Sequence, residues 1–588
     1  MLAMSRERRT MKITVRNFKS LGQGSLDLSR GKTTILTGMN SSGKSSLIQS
    51  LLFIAQTAHA DGRIAPNGPL ARLGSPRDLV RDGEKPGPIS FDIEGTLRPT
   101  PFFSAQNRQS PDRRSQHVFC HIKLSTSRDE QDFSIAELRT GTGGEEFVFS
   151  AIKAQGADRE TALSALSELN PTDALHLKHS LRRTYLVMRG FAPLGIVQVM
   201  DPPKMEEQLT GLLGKTLSSS ATKTGITSQS QKALSRMQSD LYFLMTTLVG
   251  PAQEMVEQAG YVEEFEEMLS SSGSDLAAWR DLPDHIKDDL IEIAAKKYSE
   301  RGATVVSIRH RSDSQWLGPS TPLELILKEK MGSATRCLSW TRESLISIGQ
   351  NVQHLGPLRD EPRVAWSQWS EIGHGLPVGQ KGEYSASVLS QESERDVEFY
   401  NPRLQESDRM SLSEAVQIWL NEIQIGNSAK TQPLGKLGVR VEVEHEGRFR
   451  DLTSLGVGVS QVLPVVVGLL SVPANSIFLI EQPELHLHPA MQSRLADFLT
   501  RARTDVCVIV ESHSDALITR VRRRLAEKIV NVSDVHIGFV EPSQCGSTCT
   551  YLDVDQQGDI AIWPEGFFTE TQADIRAIFA AKAGIGLT

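Results

Sequence analysis

The chain has 588 residues, of which 39% are hydrophobic and 23% charged, and its net charge at pH 7 is −7. This composition indicates several globular domains and excludes a wholly disordered chain. The longest apolar stretch, residues 462–472, is too short to cross a bilayer, and the N-terminus lacks the apolar core of a signal peptide. Because the five cysteines are scattered, as is usual in a reducing cytosol, we expect a cytoplasmic protein without membrane contact.

The first chemical motif lies near the N-terminus. The segments MKITVRNF and TTILTG predict two strands, and the second leads into GMNSSGKSS at 38–46, which matches G-x-x-x-x-G-K-[ST] and is followed by an apolar helix. In such a loop, glycines let backbone N–H groups surround phosphates, the lysine reaches the β and γ oxygens, and the hydroxyl binds Mg²⁺. We therefore predict a site for ATP and Mg²⁺ formed by Gly38, Asn40, Ser41, Ser42, Gly43, Lys44, Ser45 and Ser46.

The second motif, SIFLIEQPELHLHP, lies more than four hundred residues later, at 476–489. Its apolar run ends at Glu481 and predicts a buried parallel strand that brings this acid to the phosphate site, where it would bind Mg²⁺ together with Ser45. The next position usually holds an acid that activates water, but here it is Gln482.

Three interpretations of this glutamine stay open. Glu484 could replace the missing acid as the base, Gln482 could only orient water while turnover is slow, or the site could bind ATP and wait for a partner. We expect slow hydrolysis.

A glycine-rich segment, SLGVGVSQVLPVVVGLL at 454–470, precedes the acid strand. Gly456 and Gly458 predict a tight turn, Ser460 a helix cap, and Pro464 a place in the first turn of that helix. The free N–H groups of such a helix form an anion site. Since one chain does not need a second cradle for the γ-phosphate, we expect a second copy of the protein to present its ATP to Gly458, Ser460 and Gln461.

A further strand, VCVIVE, is followed by SHSD. In the order phosphate loop, glycine-rich helix, acid strand and second apolar strand, His513 falls where ABC-type ATPases carry the switch histidine that senses the γ-phosphate. We predict this role for His513.

Together, NFKSL, GMNSSGKSS, GVGVSQVLP, IEQPELHLHP and VESHSD resemble the RecF/SMC-type ABC ATPases and, more narrowly, the OLD-like ATPases of bacterial anti-phage defence operons. HLGPLRDEP (354–362) and the tail LDVDQQGDIAIWPEGFF (552–568) resemble an uncharacterised branch of that family. The resemblance implies a split head, ATP-driven dimerisation and an effector protein. It departs from OLD proteins in lacking a Toprim nuclease, because residues 515–588 are too few for one.

The predicted fold is α/β, an ABC-type P-loop ATPase head split by a mainly helical inserted domain. The predicted parts are an N-terminal ATPase lobe that includes an antiparallel sheet (1–156), the insertion (157–345), a C-terminal ATPase lobe (346–530) and a tail segment (531–588).

The resulting hypothesis is a slow ATPase that uses ATP and Mg²⁺ and forms an ATP-dependent homodimer, with higher assembly left open. It would act as a sensor or scaffold in anti-phage defence. It would control an effector encoded nearby, expected to be a nuclease on another chain. Glu484, Gln482 and His513 would act on the γ-phosphate. Two alternatives remain: a RecF-like DNA-repair ATPase that binds DNA through arginine clusters at 182–189 and 520–524, and a self-contained, ATP-regulated nuclease with its active site in 157–350.

Overall fold

The computed structural model describes residues 11–59, 63–81, 87–97, 116–126, 132–151, 163, 173–177, 183–200, 304–309, 331–366, 378–564, 574, 577–579 and 582. The chain divides into two compact units, Met1–Ser134 with Ser344–Thr588, and Ile135–Glu343. Among the described helices, none combines the length and the apolar character needed to span a bilayer.

The described strands, numbered in chain order, are β1 Met11–Phe18, β2 Leu21–Asp27, β3 Thr33–Thr37, β4 Ser90–Leu97, β5 Gln116–Thr126, β6 Phe133–Thr142, β7 Glu145–Ser150, β8 Asp173–Leu177, β9 Arg183–Arg189, β10 Ala192–Met200, β11 Thr304–Arg309, β12 Val352–Leu355, β13 Asp396–Asn401, β14 Glu406–Ser411, β15 Ala429–Pro433, β16 Val439–His445, β17 Arg448–Asp451, β18 Ile477–Glu481, β19 Cys507–Glu511, β20 Val535–Glu541 and β21 Ser547–Tyr551.

The described α-helices are α1 Lys44–His59, α2 Pro76–Leu79, α3 Met331–Asn351, α4 Ser385–Gln391, α5 Leu412–Ile423, α6 Val457–Ser471, α7 Pro489–Arg501 and α8 Asp515–Ala526. Short 3-10 turns occupy Gly435–Leu437, Leu452–Ser454 and Val532–Asp534.

The main sheet of the first unit has the strand order β5-β4-β1-β2-β21-β20-β3-β19-β18-β12. Strands β20, β3, β19, β18 and β12 run parallel to one another, whereas β5, β4, β1 and β2 are antiparallel. Every residue of β3, β18 and β19 is buried, which explains the apolar runs that precede the terminal acids of β18 and β19. The predicted strands and the helix after the phosphate loop are confirmed, as is an antiparallel sheet within 1–156.

The core of the first unit lies between this sheet and helices α5, α6 and α7. Helix α6 is buried from Ser460 to Ser471, and the ring of Trp419 on α5 packs edge-on against Phe498 on α7, with centroids 5.1 Å apart. Each fully buried side chain of this kind contributes about 1.5–3 kcal/mol to folding. This packing fixes α6 and α7 against the strands that carry the acids discussed below.

The predicted domain boundaries stay a prediction, and two features of the structure were not part of it. The first unit includes β20 and β21, which fall in the segment predicted as a separate tail, and β20 pairs with β3. Within 157–345, the described residues form the antiparallel strands β8 to β11, which were not expected, and part of α3. The segments with a helical pattern, 261–271 and 290–301, lie outside the described residues, so the mainly helical insertion stays a prediction.

Candidate functional site

The phosphate loop connects β3 to α1 in the predicted way. Gly38 and Gly43 have φ values of +141° and +100°, which side chains rarely adopt, and a Cβ on Gly38 would lie 2.2 Å from the backbone oxygen of Val540. Helix α1 begins at Lys44, so its free N–H groups face the loop. The loop also contains the exposed Asn40 and Ser41 and the buried Ser42, while Ser46 Oγ lies 3.0 Å from Ser20 Oγ.

Lys44 is the buried cation of this site, with only 3% of its surface exposed. Its Nζ donates to the carbonyl oxygens of Gly38 (3.0 Å) and Met39 (2.6 Å). Burial lowers the pKa of Lys44, while the nearby carboxylates of Glu511 and Glu484 act to raise it. An ammonium held by carbonyls of its own loop can exchange these partners for phosphate oxygens.

Ser45 contacts an acid that the sequence analysis did not single out. Its Oγ donates to both carboxylate oxygens of Glu511, the last residue of β19, at 3.1 and 2.9 Å. Burial, and then the neighbouring charge of Glu481, raise the pKa of Glu511 to about 7. The available signal was an acid at the end of an apolar strand, the same signal that identified Glu481.

Glu481 ends β18 and lies beside Glu511 in the register of the two parallel strands. Its Oε1 is 2.7 Å from Nε2 of His354, a buried residue on β12. Sequence reasoning assigned no role to His354, although it begins the segment HLGPLRDEP, because nothing in its strand VQHL indicates a contact with Glu481. Glu481 therefore reaches the site, but its resolved hydrogen bond points to β12 and not to Ser45.

The turn after Glu481 is fixed by backbone contacts. Gln482 has a positive φ of +46°, its N–H donates to the carbonyl of Glu511 at 2.8 Å, and its own carbonyl accepts from Arg359 Nη1 at 3.3 Å. Arg359 is only 7% exposed, and its Nε and Nη2 have no hydrogen-bond partner among the described residues. Burial lowers the pKa of Arg359 to about 10, against the pull of Glu484 and Glu481.

Glu484 and His513 meet in the structure. Glu484 Oε1 accepts the backbone N–H of His513 at 2.7 Å, whereas Oε2 has no hydrogen-bond partner in the part of the chain that the structure describes. Burial raises the pKa of Glu484, which is 7% exposed. Burial and the charge of Lys44 lower the pKa of His513. These two residues thus share one neighbourhood with Lys44, as the prediction of a γ-phosphate site requires.

Comparisons with known proteins agree with this geometry at a coarse level. Residues 287–519 match the family described as "AAA domain, putative AbiEii toxin, Type IV TA system". The chain itself has an α/β fold in which a phosphate loop joins a buried parallel strand, β3, to helix α1. No curated protein matches the chain.

Three similar solved structures are Smc heads, and the likeness is distant. One from Pyrococcus furiosus, with an extended coiled coil and bound to the C-terminal domain of ScpA, has 13% identity, TM-score 0.30, and coverage of 97% of this chain and 99% of that one. One from Pyrococcus yayanosii, with a coiled coil and joint, has 13% identity, TM-score 0.32, and coverage of 93% and 97%. A head bound to the C-winged helix domain of ScpA has 11% identity, TM-score 0.31, and coverage of 92% and 98%.

The glycine-rich segment at 454–470 differs from the prediction. Helix α6 already begins at Val457 with Gly456 as the N-cap residue, so Ser460 is not the cap, and Pro464 lies inside the helix beyond its first turn. The Ser460 hydroxyl is buried, 1% exposed, and donates to the Val457 carbonyl at 2.8 Å. Gln461 is buried as well.

The exposed part of that segment is its backbone. Gly456 and Val457 are exposed at the start of α6, and a Cβ on Gly458 would lie 3.0 Å from the carbonyl oxygen of His486. The side chains of Ser460 and Gln461 are therefore not presented to a second copy of the ATPase, because the helix starts earlier than expected. Gly458 lies in the first turn of α6, next to the exposed Gly456 and Val457.

The second histidine of the ELHLHP segment has a structural role. His488 is the N-cap residue of α7, and its Nδ1 accepts the backbone N–H of Ala490 at 3.3 Å. Ser514 caps α8 in a similar way by accepting from the N–H of Leu517 at 3.0 Å. These caps fix the helices that follow Glu481 and Glu511.

The arginine cluster on α8 is used inside the ATPase fold. Arg520 and Arg524 both donate to the buried carboxylate of Asp497 on α7, with shortest distances of 2.6 Å, and Arg523 pairs with Glu527. Arg522 donates to the carbonyl of Gly558 at 2.7 Å and lies over the ring of Trp563. The predicted basic surface is thus largely neutralised by these contacts.

Proposed function

We propose that this protein is an ATPase that binds ATP with Mg²⁺, hydrolyses it slowly, and forms an ATP-dependent homodimer that controls an effector on another chain in anti-phage defence. The observation that carries the ATPase part is the meeting of Lys44, Glu484 and His513 beside the phosphate loop. The dimer, the effector and the defence role are supported by the motifs and the resemblance stated above.

In this proposal, the loop N–H groups and Lys44 bind the phosphates, and Ser45 and the strand-end acids of β18 and β19 would hold Mg²⁺, which supplies charge neutralisation on the phosphates. Glu484 is the base of the site. Its carboxylate can accept a proton from water, and its raised pKa makes it a better acceptor than an exposed glutamate. Gln482 orients the water, and His513 contacts the γ-phosphate.

Steady-state ATP turnover tests the enzymatic part, with Lys44→Ala as the blank. We expect turnover above the blank that falls at least about 100-fold in Glu484→Gln, as is typical when a general base is removed. Turnover that survives in Glu484→Gln but falls in Gln482→Ala would transfer the main role to Gln482. Wild-type turnover at the blank level, with ATP still bound, would show a switch that waits for a partner.

Light scattering with the hydrolysis-blocked Glu484→Gln variant tests the dimer. We expect the mass to double with MgATP, and the added side chain in Gly456→Glu to prevent this, because Gly456 is exposed at the start of α6 and has no neighbouring atom within 4 Å. Gly144→Glu is the matched control, since Gly144 is equally open in the β6–β7 turn. A monomer in Glu484→Gln with MgATP would contradict the proposed dimer.

Protection of cells against phage by the native gene cluster tests the defence role. We expect Lys44→Ala to abolish protection. The two sequence-based alternatives receive no support from a specific contact: the arginines at 520–524 bind within the protein, and most of the range 157–350 lies outside the described residues.

A further inference from the structure

Strands β18 and β19 are parallel neighbours, and each ends in a glutamate at the same register position. The two acids have different partners. Glu481 is 2.7 Å from His354, whereas both oxygens of Glu511 accept from the hydroxyl of Ser45. The carboxylate that touches the phosphate loop is therefore the one on β19.

The distances between Ser45 and Glu511 suit a shared cation. Mg²⁺ takes six oxygen ligands in a near-ideal octahedron at 2.0–2.1 Å, so two adjacent ligand oxygens lie about 2.9 Å apart. Ser45 Oγ lies 2.9 and 3.1 Å from the two oxygens of Glu511. If the hydroxyl proton of Ser45 turned away from the carboxylate, Ser45 Oγ and a carboxylate oxygen of Glu511 could bind the same ion.

The charges around Glu511 also call for a cation. Glu481, Glu484 and Glu511 are all buried at this edge of the sheet, and Glu511 interacts with the charges of both other acids. Lys44 is the nearby cation that acts on Glu511, and its Nζ is engaged by loop carbonyls. Glu484, which is nine-tenths buried, has an oxygen without a hydrogen-bond partner among the described residues. Arg359 acts on the charges of Glu484 and Glu481, so the three buried carboxylates face Lys44 and Arg359, and a divalent ion offsets the remaining negative charge.

We propose that Glu511 binds Mg²⁺ directly beside Ser45 when MgATP is bound, and that Glu481, held by His354, is a positioning residue behind it. This inference rests on the proposed function, because it assumes that the loop binds MgATP. It assigns to the strand-end acid of β19 the metal contact that the motif alone gives to β18.

The test compares ATP affinity in Mg²⁺ with ATP affinity in EDTA, measured by calorimetry, for wild type, Glu511→Gln and Glu481→Gln. We expect Mg²⁺ to lower the Kd for ATP in wild type. In Glu511→Gln, the ratio of the Kd in EDTA to the Kd in Mg²⁺ should be at least about tenfold smaller than in wild type, while the affinity in EDTA is equal or higher. Glu481→Gln should keep most of the gain. Glu541→Gln, at the exposed end of β20, is the control for removing a charge from the same sheet edge.

Electron paramagnetic resonance of Mn²⁺ with bound ATP gives a second readout that does not depend on turnover. We expect weaker Mn²⁺ binding in Glu511→Gln, and an intermediate effect in Glu511→Asp, which keeps the charge but withdraws it from Ser45. A full Mg²⁺ gain in Glu511→Gln, or its loss only in Glu481→Gln, would overturn the inference and leave the proposed function standing. Wild-type protein that binds no ATP would contradict the proposed function itself.

Discussion

Two helices of this fold begin at glycine-containing segments, and they are built in different ways. At the start of α1, the side chains of Lys44 and Ser45 face the acids on the neighbouring strands. At the start of α6, the side chain of Ser460 is turned into the helix and only Gly456 and its neighbours are exposed. Similar glycine and serine patterns thus produce a site made of side chains in one case and a site made of backbone in the other.

Of the substitutions at the two helix starts, Gly38→Ala should have the largest effect on stability and ATP binding. Gly38 has φ of +141°, and the new Cβ would lie 2.2 Å from the backbone oxygen of Val540, which cannot move away as a flexible side chain would. We expect the free energy of unfolding to fall by about 3 kcal/mol or more, and ATP binding to be lost. Urea unfolding at pH 7.5 measures this, and a stability equal to wild type would contradict the geometry of the loop.

The next effect concerns the charge of Glu511, which contacts Ser45 at the start of α1. Here we expect the substitution to raise the free energy of unfolding. Burial and Glu481 raise the pKa of Glu511 from about 4.5 to about 7. The folded state therefore holds the proton more tightly than the unfolded chain, so wild-type stability falls as the pH rises through this interval. Glutamine carries no charge at this buried position, so its stability does not fall over the same pH interval. In EDTA and without nucleotide, we expect Glu511→Gln to be more stable than wild type by up to about 3 kcal/mol at pH 8.

The pH dependence is the control for that prediction. The difference between Glu511→Gln and wild type should shrink steadily below pH 7 and nearly vanish below pH 4.5, where the glutamate is protonated in both states. A difference that is the same at pH 5 and pH 8 would show that charge is not its cause.

A smaller effect is expected at the start of α6, from Ser460→Ala. The hydroxyl bonds only to the Val457 carbonyl of its own helix, a contact that adds little to helix stability. The free energy of unfolding should change by less than about 1 kcal/mol. The ATP-dependent change in mass should persist in a Glu484→Gln background, and its loss would restore the direct role for Ser460 that the sequence suggested.

The smallest effect is expected from Gly456→Ala. A Cβ at this position meets no atom within 4 Å, and φ and ψ of −61° and 145° suit any residue. Alanine is a poorer N-cap residue than glycine but restricts the unfolded chain, and because these two effects oppose each other we expect a net change of no more than about 0.5 kcal/mol. Thermal unfolding of Gly456→Ala and Gly38→Ala, measured together with wild type, compares the two helix starts directly.

The parts that could be predicted from the sequence are those in which a motif follows a buried strand. The strand before Gly38 is rich in β-branched residues and the run before Glu481 is apolar, because both strands are buried, so strand, loop and acid could be predicted together. The placement of Lys44, Glu484 and His513 in one neighbourhood followed from the same order of motifs.

The parts that were missed depend on pairing between distant positions. Ser45 and Glu511 are 466 positions apart, and His354 and Glu481 are 127 positions apart. Neither contact leaves a local pattern, because only the strand order brings these residues together. The start of α6 was misjudged for a different reason: serine is favoured as a helix cap, but here Gly456 occupies that position and tertiary packing buries Ser460.

The position of β3 also has a consequence for biogenesis. This buried strand hydrogen-bonds to β19 and β20, which are synthesised about 470 and about 500 residues later. At about 5–20 residues per second, a ribosome needs roughly half a minute to a minute and a half to deliver these partners. During that interval the nascent chain carries an unpaired apolar strand, so a chaperone that holds early segments should raise the yield of active protein more than one that acts after release.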